Sequence, residues 1–270
     1  VINHEKVDVI YIPLANEEHT EVALKAIRAK KHVLIEKPMT IKSEEVKILI
    51  KEATKNNVKI MEGFMYAFHP QFDRIMNTIK SNIFGDINYA HSMFSFPIKP
   101  ARFYRIDRSI ENGGGALWDI GPYAIHTIRQ CFNENPKRVQ AIAKLNEHGA
   151  DISTSGLIDF GNSKRATFDI SFECTRRSEF EAFGPLGRVK CHTVWQPEDK
   201  QAKIIINTES SGLTQEVVPA ANHFILEINH FNKIISSDLV PKLSSEDAFW
   251  NAKTLESIQQ SIKEDRWVNL

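Results

Sequence analysis

Three side chains that can exchange protons lie close together near the middle of the chain. They are the carboxylate Asp119, the phenol Tyr123 and the imidazole His126, at spacings of four and three residues. In an α-helix these spacings place all three on one stripe, and Pro122 favours the start of a helix that is entered through glycines 113–115. The opposite stripe is apolar and typical of a core-facing side: Ile120, Ala124, Ile128 and Cys131. This pattern indicates the wall of a cleft; the alternative is a solvated face on which Tyr123 only packs.

The composition is that of an ordinary globular protein with a substantial core. The 270 residues include 42% hydrophobic and 25% charged side chains, enough for two lobes. Basic and acidic residues number 34 each and no basic cluster is long, which argues against binding to nucleic acid or to an anionic membrane. No apolar stretch approaches the roughly 20 residues of a membrane span, and the first residues do not resemble a signal peptide. We therefore expect a cytoplasmic protein.

The cysteines form no recognisable metal or redox motif. Cys131, Cys174 and Cys191 lack the spacing of metal ligands or of a redox pair, so we expect buried, reduced thiols and no disulfide. No cluster of His, Cys and carboxylate residues indicates a metal site. The sequence therefore predicts a protein without a bound metal.

Strand and helix patterns alternate over the first 64 residues. Runs rich in β-formers at 7–12, 32–35 and 58–64 alternate with one helix that Asn16 caps and another that Ser43 opens. Strands joined by helical crossovers are parallel, and such sheets bind ligands at the carboxyl ends of their strands. Those ends fall at residues 13–16, 36–38 and 63–66.

Strand-like runs dominate after a helix that begins at Pro70. They cover residues 87–96, 139–145, 156–160, 166–173, 179–183, 188–192 and 204–208. A tight turn is expected at 184–187. Two helices close the chain, around 224–235 and 246–263, the second capped by Ser244 or Ser245.

The fold class is therefore α/β plus α+β. A parallel sheet domain is expected over residues 1–66, and a larger, mostly antiparallel open-sheet domain over residues 67–270. The outer face of the open sheet needs cover, so we expect a homodimer formed through it.

Four segments are, in this order, similar to the glucose-fructose oxidoreductase and inositol dehydrogenase family. They are residues 7–12 with Asn16 and His19, 31–38 with the Glu36-Lys37-Pro38 turn, 62–66, and 113–123. Tyr123 and the Phe-Met-Tyr-Ala-Phe-His-Pro run at 64–70 resemble the branch of sugar and dihydrodiol dehydrogenases, whereas many other members carry histidine in place of Tyr123. The resemblance implies a partial Rossmann-type domain and an NAD(P)-dependent oxidoreductase that acts on a sugar, polyol or vicinal diol.

The chain departs from this family at its beginning. Members start with a strand, a glycine-rich turn and a helix that hold the cofactor pyrophosphate, and no Gly-x-Gly-x-x-Gly occurs here. We therefore expect a dinucleotide-binding domain that lacks its first part, with weakened cofactor affinity and an exposed sheet edge. The residue that selects between NAD and NADP is missing as well, so both stay candidates.

The resemblance implies that Tyr123 is the acid and base of hydride transfer, because oxidation of an alcohol needs a group that accepts the hydroxyl proton. A free phenol has a pKa of about 10, roughly 4 kcal/mol from useful basicity at pH 7. We expect the ammonium of Lys37 to lower the pKa of Tyr123 and to hold the nicotinamide ribose and the substrate hydroxyl. Asp119 is expected to orient Lys37 or a substrate hydroxyl, unless it only caps a helix.

Further side chains are assigned to cofactor and substrate by the same resemblance. The expected cofactor contacts are Pro13, Leu14, Asn16, His19, Glu36, Lys37 and Tyr66. The expected substrate contacts are Arg102, Arg105, Trp118 and His126. Two alternatives stay open: the arginines pair with Asp107 and Glu111, and His126 is a satisfied structural histidine.

Two other functions are compatible with these residues. The fold also supports cofactor- or sugar-sensing proteins and inactive fragments, although the presence of both Lys37 and Tyr123 argues against this. A glycosidase or lyase that uses NAD transiently is the second alternative. Net consumption of one cofactor per turnover distinguishes a dehydrogenase from it.

Overall fold

A three-stranded parallel sheet forms the start of the chain in the computed structural model, which describes residues 1–197, 201–237 and 239–270. Its elements are β1 (Val9–Ile12), α1 (His19–Arg28), β2 (His32–Glu36), α2 (Ser43–Asn56) and β3 (Ile60–Gly63). The strands lie in the order β1-β2-β3, and both neighbouring pairs are parallel. The predicted β-α-β-α-β unit is therefore confirmed.

The two faces of this sheet pack into different cores. Strand residues such as Ile12 and Val33 form one cluster with α1 and α2, which contribute Ala23, Ala26, Ile27, Val46 and Leu49. Leu34 and Met61, whose neighbours along the strands face the helices, pack instead into the large core of the second sheet. The alternation of the strands thus joins the small sheet to the rest of the molecule.

Asn16 does not cap α1 as the sequence suggests. Residues Asn16–Glu18 form a short 3-10 turn, and α1 begins only at His19. The side-chain amide of Asn16 instead donates to the carbonyl of Gly113, at 2.9 Å. This hydrogen bond connects the loop after β1 to the glycine segment 113–115, which is distant in sequence.

A nine-stranded open sheet dominates the rest of the chain. Its strands are β4 (Tyr89–Ser95), β5 (Arg138–Leu145), β6 (Asp151–Gly161), β7 (Lys164–Ser171), β8 (Arg177–Gly184), β9 (Gly187–Cys191), β10 (Ala202–Thr208), β11 (Gly212–Val218) and β12 (Val268–Asn269). They lie in the order β11-β10-β9-β8-β4-β7-β6-β5-β12. Across the described ranges every neighbouring pair is antiparallel except β4 and β7, so the mostly antiparallel sheet is confirmed. The sequence patterns do not predict β11 and β12. The thiol of Cys174, between β7 and β8, is exposed, so the expectation of a buried thiol is wrong for this residue.

Helices cover one face of this sheet and connect it to the small one. They are α3 (Pro70–Lys80), α4 (Ala116–Asp119), α5 (Gly121–Phe132), α6 (His223–Ser237) and α7 (Ser245–Glu264). Helix α5 packs against β4, β7 and β8, and α7 packs against β5, α5 and α2. The predicted cap of α7 is confirmed, since Ser244 Oγ accepts the Asp247 N–H at 3.0 Å. In the part of the chain that the structure describes, no helix is long and apolar enough to cross a membrane.

The prediction that a single helix carries Asp119, Tyr123 and His126 is wrong. Helix α4 ends at Asp119, and α5 begins anew at Gly121. Pro122 has no N–H and cannot continue the hydrogen bonding of α4, so it opens a second helix instead. Every residue of α5 from 121 to 129 is buried, which means that the polar stripe is not a solvated face.

The glycines before α4 are required by close packing. Gly115 has φ +94°, and a Cβ there would lie 1.9 Å from Asp151 Oδ1. The buried Asp151 carboxylate, on β6, accepts the Leu117 N–H at 2.9 Å and the Thr154 hydroxyl at 2.7 Å. A residue from a distant strand thus caps α4 and holds Asp119 in place.

Candidate active site

The carboxyl ends of β1 and β2 face the segment that contains Asp119 and Tyr123. A cavity of about 350 Å³ lies between them. The small sheet lines it with Tyr11, Pro13, Leu14, Asn16, Glu36 and Lys37. The rest of the chain contributes Met65, Phe94, Phe96, Arg102, Arg105, Asp119, Ile120, Tyr123, Gln196 and Phe224. We call this space the reaction cavity.

Lys37 follows β2 and is buried in the wall of the reaction cavity. Its ammonium donates to the Asp119 carbonyl at 2.5 Å and to Asp119 Oδ1 at 3.2 Å. The same nitrogen lies 4.9 Å from the centroid of the Tyr123 ring. An ammonium has three N–H groups, so one donor of Lys37 is left without a partner in the described residues.

Asp119 is shared by two cations. Arg105 Nη1 forms an ion pair with the same Oδ1 that Lys37 contacts. The alternative pairing of Arg105 with Asp107 or Glu111 is therefore wrong, because Asp107 pairs with Arg108 at 3.5 Å and Glu111 with Lys263 at 3.3 Å. The Asp119 carboxylate therefore holds both cations through charge-assisted hydrogen bonds.

Tyr123 is buried and holds its proton. Its ring contacts the rings of Phe64, Tyr66 and Phe94, and its hydroxyl lies 3.6 Å from the sulfur of Met65. Burial, followed by the charges of Glu36, Asp119 and Glu227, raises the pKa of Tyr123 well above its usual value, and Arg105 opposes them. The expectation of a lowered pKa is wrong because burial outweighs the nearby cations.

Two further side chains, Tyr11 and Glu227, are not among the site residues that the sequence motifs predict. The Tyr11 hydroxyl donates to Glu36 Oε1 at 2.6 Å. Alternation along β1, which buries Ile12, places Tyr11 on the opposite face, and this signal is visible in the sequence. Glu227 of α6 is buried with one carboxyl oxygen unpartnered, and burial together with the charge of Glu36 raises its pKa to about 8. Its sequence context contains nothing that indicates this position.

His19 does not line the reaction cavity but supports two loops beside it. Its ring is fully buried and bonds the carbonyls of Pro38, at 2.9 Å, and Leu14, at 3.2 Å. Burial lowers the pKa of His19. The two ring nitrogens thus lie between the loops that follow β1 and β2, both of which line the cavity, and a neutral ring donates to one of the two carbonyls.

Tyr66, His126 and Trp118 are also buried away from the cavity surface. The Tyr66 hydroxyl bonds His126 Nδ1 at 2.5 Å, and His126 Nε2 bonds Asp247 Oδ2 at 2.8 Å. The Trp118 indole donates to the carbonyl of Ile110 at 2.8 Å. The structure thus favours the alternative given for His126, a satisfied structural histidine, and gives Tyr66 and Trp118 buried partners as well.

The donors present fit a dinucleotide and a hydroxylated substrate. The free N–H of Lys37 and the phenol of Tyr123, which has only a sulfur partner, retain hydrogen-bonding capacity. An adjoining cavity of about 400 Å³ is lined by residues 13–17 and by Gly113 and Gly115. Within residues 1–197, 201–237 and 239–270, no group of three His, Cys, Asp or Glu side chains is placed to hold a metal.

The sequence of this chain is similar to those of known oxidoreductases. The profile of the oxidoreductase family with an NAD-binding Rossmann fold matches residues 1–64, and the GFO/IDH/MocA C-terminal domain matches residues 72–190. An uncharacterized oxidoreductase of Rhizobium meliloti is 30% identical over 99% of this chain and 81% of its own length. A trans-1,2-dihydrobenzene-1,2-diol dehydrogenase of Xenopus laevis is 30% identical over 74% of this chain and 59% of its own length.

The fold of this chain is also similar to that of solved oxidoreductase structures. The crystal structure of a 3-ketoreductase from Actinomadura kijaniata, in complex with NADP and TDP-benzene, superposes with a TM-score of 0.89 at 27% identity. The match covers 96% of this chain and 80% of that one. The chain is therefore a member of the GFO/IDH/MocA family of oxidoreductases, which bind NAD(P) on a Rossmann fold.

Proposed function

We propose that this chain transfers a hydride between NAD or NADP and a sugar, polyol or vicinal diol. The observation that carries the proposal is the meeting of Lys37, Asp119 and Tyr123 in one cavity between the two sheets. The relatives named above support the substrate class, because one acts on a dihydrodiol and another is a ketoreductase bound to NADP and a TDP derivative.

Tyr123 is the proton donor when a carbonyl is reduced. NADH or NADPH, when bound, would supply the hydride that reduces the carbonyl carbon. The Tyr123 hydroxyl gives its proton to the carbonyl oxygen, which yields an alcohol. Because burial and nearby carboxylates raise the pKa of Tyr123, the phenol is protonated at neutral pH, which is the form that donates a proton during reduction.

Lys37 and Asp119 arrange the reactants. The free N–H of Lys37 donates to the substrate oxygen, and Asp119 holds the ammonium through two hydrogen bonds. Pro13, Leu14, Asn16 and Glu36 hold the dinucleotide. His19 and Tyr66 contribute indirectly, by fixing loops and the packing behind Tyr123.

Titration with NADH and NADPH, followed by fluorescence, tests the cofactor part. Turnover with aldoses, trans-diols and a TDP-linked keto sugar then tests the reaction, with one cofactor oxidised or reduced per product. Cofactor binding without turnover of any substrate would indicate a sensor. Product formation without net cofactor change would indicate a glycosidase or lyase.

We also propose that the chain forms a homodimer through the outer face of the nine-stranded sheet. Ile142 is 69% exposed and Leu157 44% exposed, on the paired strands β5 and β6. They line a depression of about 500 Å³ with Met93 and Thr167. The variant Ile142→Asp is expected to convert a dimer to a monomer in light scattering, and a monomeric wild type contradicts the proposal.

A further inference from the structure

A second cavity, of about 350 Å³, adjoins the reaction cavity. Phe96, Arg102 and Gln196 line both spaces. The remaining lining is Pro97, Lys99 and Arg176. A substrate whose reacting carbon lies beside Tyr123 can therefore extend into this second space, which we call the side cavity.

The side cavity is lined by cations and, among the described residues, by no acid. Lys99, Arg102 and Arg176 make up half of its six lining residues. The whole chain has 34 basic and 34 acidic residues, so the positive charge here is a local concentration. Such a site attracts anions.

Two of these cations are unpaired in the part of the chain that the structure describes. Neither Lys99 nor Arg102 has a side-chain hydrogen bond or ion pair there. Arg105, which ends the short 3-10 helix Pro100–Arg105 that contains Arg102, pairs with Asp119 instead. The Arg102 N–H donates to the Lys99 carbonyl at 2.8 Å, which keeps the two residues on one turn. Within the described residues, no carboxylate therefore neutralises either charge.

Arg176 is oriented toward the same space by a neutral partner. Its Nη2 donates to Gln196 Oε1 at 2.8 Å, and Gln196 lines both cavities. In the residues that the structure describes, this is the side-chain hydrogen bond that Arg176 makes, and no carboxylate pairs with its guanidinium. Arginine forks bind phosphate with two parallel hydrogen bonds.

We infer that the side cavity binds the phosphate or diphosphate group of a phosphorylated sugar substrate. The inference rests on the proposed function, because the sugar part occupies the reaction cavity. Three cations match the charge of a phosphate monoester or a diphosphate better than that of a single carboxylate. The ring of Phe96, shared by both cavities, offers an apolar surface to the sugar or to an attached base.

Calorimetric titration with glucose, glucose 1-phosphate and thymidine diphosphate tests the inference. Both phosphorylated probes are expected to bind at least about 10-fold more tightly than glucose. Arg102→Ala and Arg176→Ala are each expected to weaken their binding about 10-fold, whereas the control Arg165→Ala, on the outer face of the sheet, leaves it unchanged. If glucose 1-phosphate binds tightly, the natural substrate is a sugar phosphate. If only thymidine diphosphate binds tightly, the substrate is a nucleotide sugar.

Equal affinity for the three probes, or affinities that survive the double substitution of Arg102 and Arg176, overturns the inference. NADPH titration of the same variants is expected to give an unchanged Kd, which separates this site from cofactor binding. If sugars are reduced with the same KM with and without a phosphate, the side cavity assignment fails and the redox function stands. If the probes bind through both arginines but no carbonyl is reduced, the redox function fails and the anion site stands.

Discussion

The ammonium of Lys37 lies 4.9 Å from the centroid of the Tyr123 ring. In the described residues no hydrogen bond joins this nitrogen to the phenol oxygen; Asp119 accepts its hydrogen bonds instead. The cation therefore faces the aromatic ring, while burial and neighbouring carboxylates keep the phenol protonated. In the proposed function, this relationship corresponds to proton donation by Tyr123 and substrate orientation by Lys37.

Tyr123→Phe is expected to lower kcat by about 10²- to 10⁴-fold, because the proton donor is lost. The fold should be unaffected, since the hydroxyl contacts only the sulfur of Met65 at 3.6 Å. Steady-state kinetics and thermal unfolding of the variant measure both effects. Tyr89→Phe, whose hydroxyl bonds Thr167 on the far face of the sheet, is the matched control. An unchanged kcat in the Tyr123 variant excludes it as the acid.

Lys37→Met is expected to reduce kcat at least about 10-fold and to leave the unfolding free energy within about 1–2 kcal/mol of wild type. The reason is that Arg105 continues to pair with Asp119. Arg105→Met provides the comparison, because it removes the other partner of the same carboxylate. Equal kcat losses in the two variants would contradict a distinct role for Lys37.

Glu227→Gln is expected to be more stable than wild type, by a margin in unfolding free energy that grows as pH rises from 5 to 8. Burial, with Glu36, raises the pKa of Glu227 to about 8 in the folded state, so over this interval the folded protein holds a proton that the unfolded chain has released. The unfolding free energy of wild type therefore falls with rising pH, by up to about 1.4 kcal/mol per unit from this group.

Urea unfolding of both proteins at pH 5, 6, 7 and 8 measures this difference. The glutamine side chain stays neutral, so the gap between variant and wild type should widen toward pH 8. Glu44→Gln, at an exposed position, is the control. A gap that is constant with pH would show that Glu227 is ionised in the folded protein throughout.

Gly115→Ala is expected to destabilise the fold by more than about 3 kcal/mol. Its Cβ would lie 1.9 Å from Asp151 Oδ1, and the residue has φ +94°. Gly212→Ala is the matched control, because φ is +67° there but nothing lies within 4 Å. Thermal unfolding should show a small loss for the control and a large one for Gly115→Ala. Equal losses would mean that backbone strain, and not the contact with Asp151, requires the glycine.

The local patterns of the sequence were enough for most of the architecture. The period of two in β1, the helical spacing of α1 and α2, and the turn at 184–187 depend on neighbouring residues, and the structure contains all of them. Lys37 and Tyr123 are predicted as site residues from short motifs, and both line the same cavity. Parallel strand ends meet at one edge of a sheet, so their loops were expected to form the site.

Only the tertiary structure decided the state and surroundings of those groups. The cap that Asp151 gives to α4, the proximity of Glu227 and the cations of the side cavity depend on contacts between residues that are distant in sequence. The protonation of Tyr123 follows from how deeply it is buried and which charges surround it, neither of which local spacing encodes. The sequence determined which chemical groups are available, and the packing determined which of them meet and in which charge state.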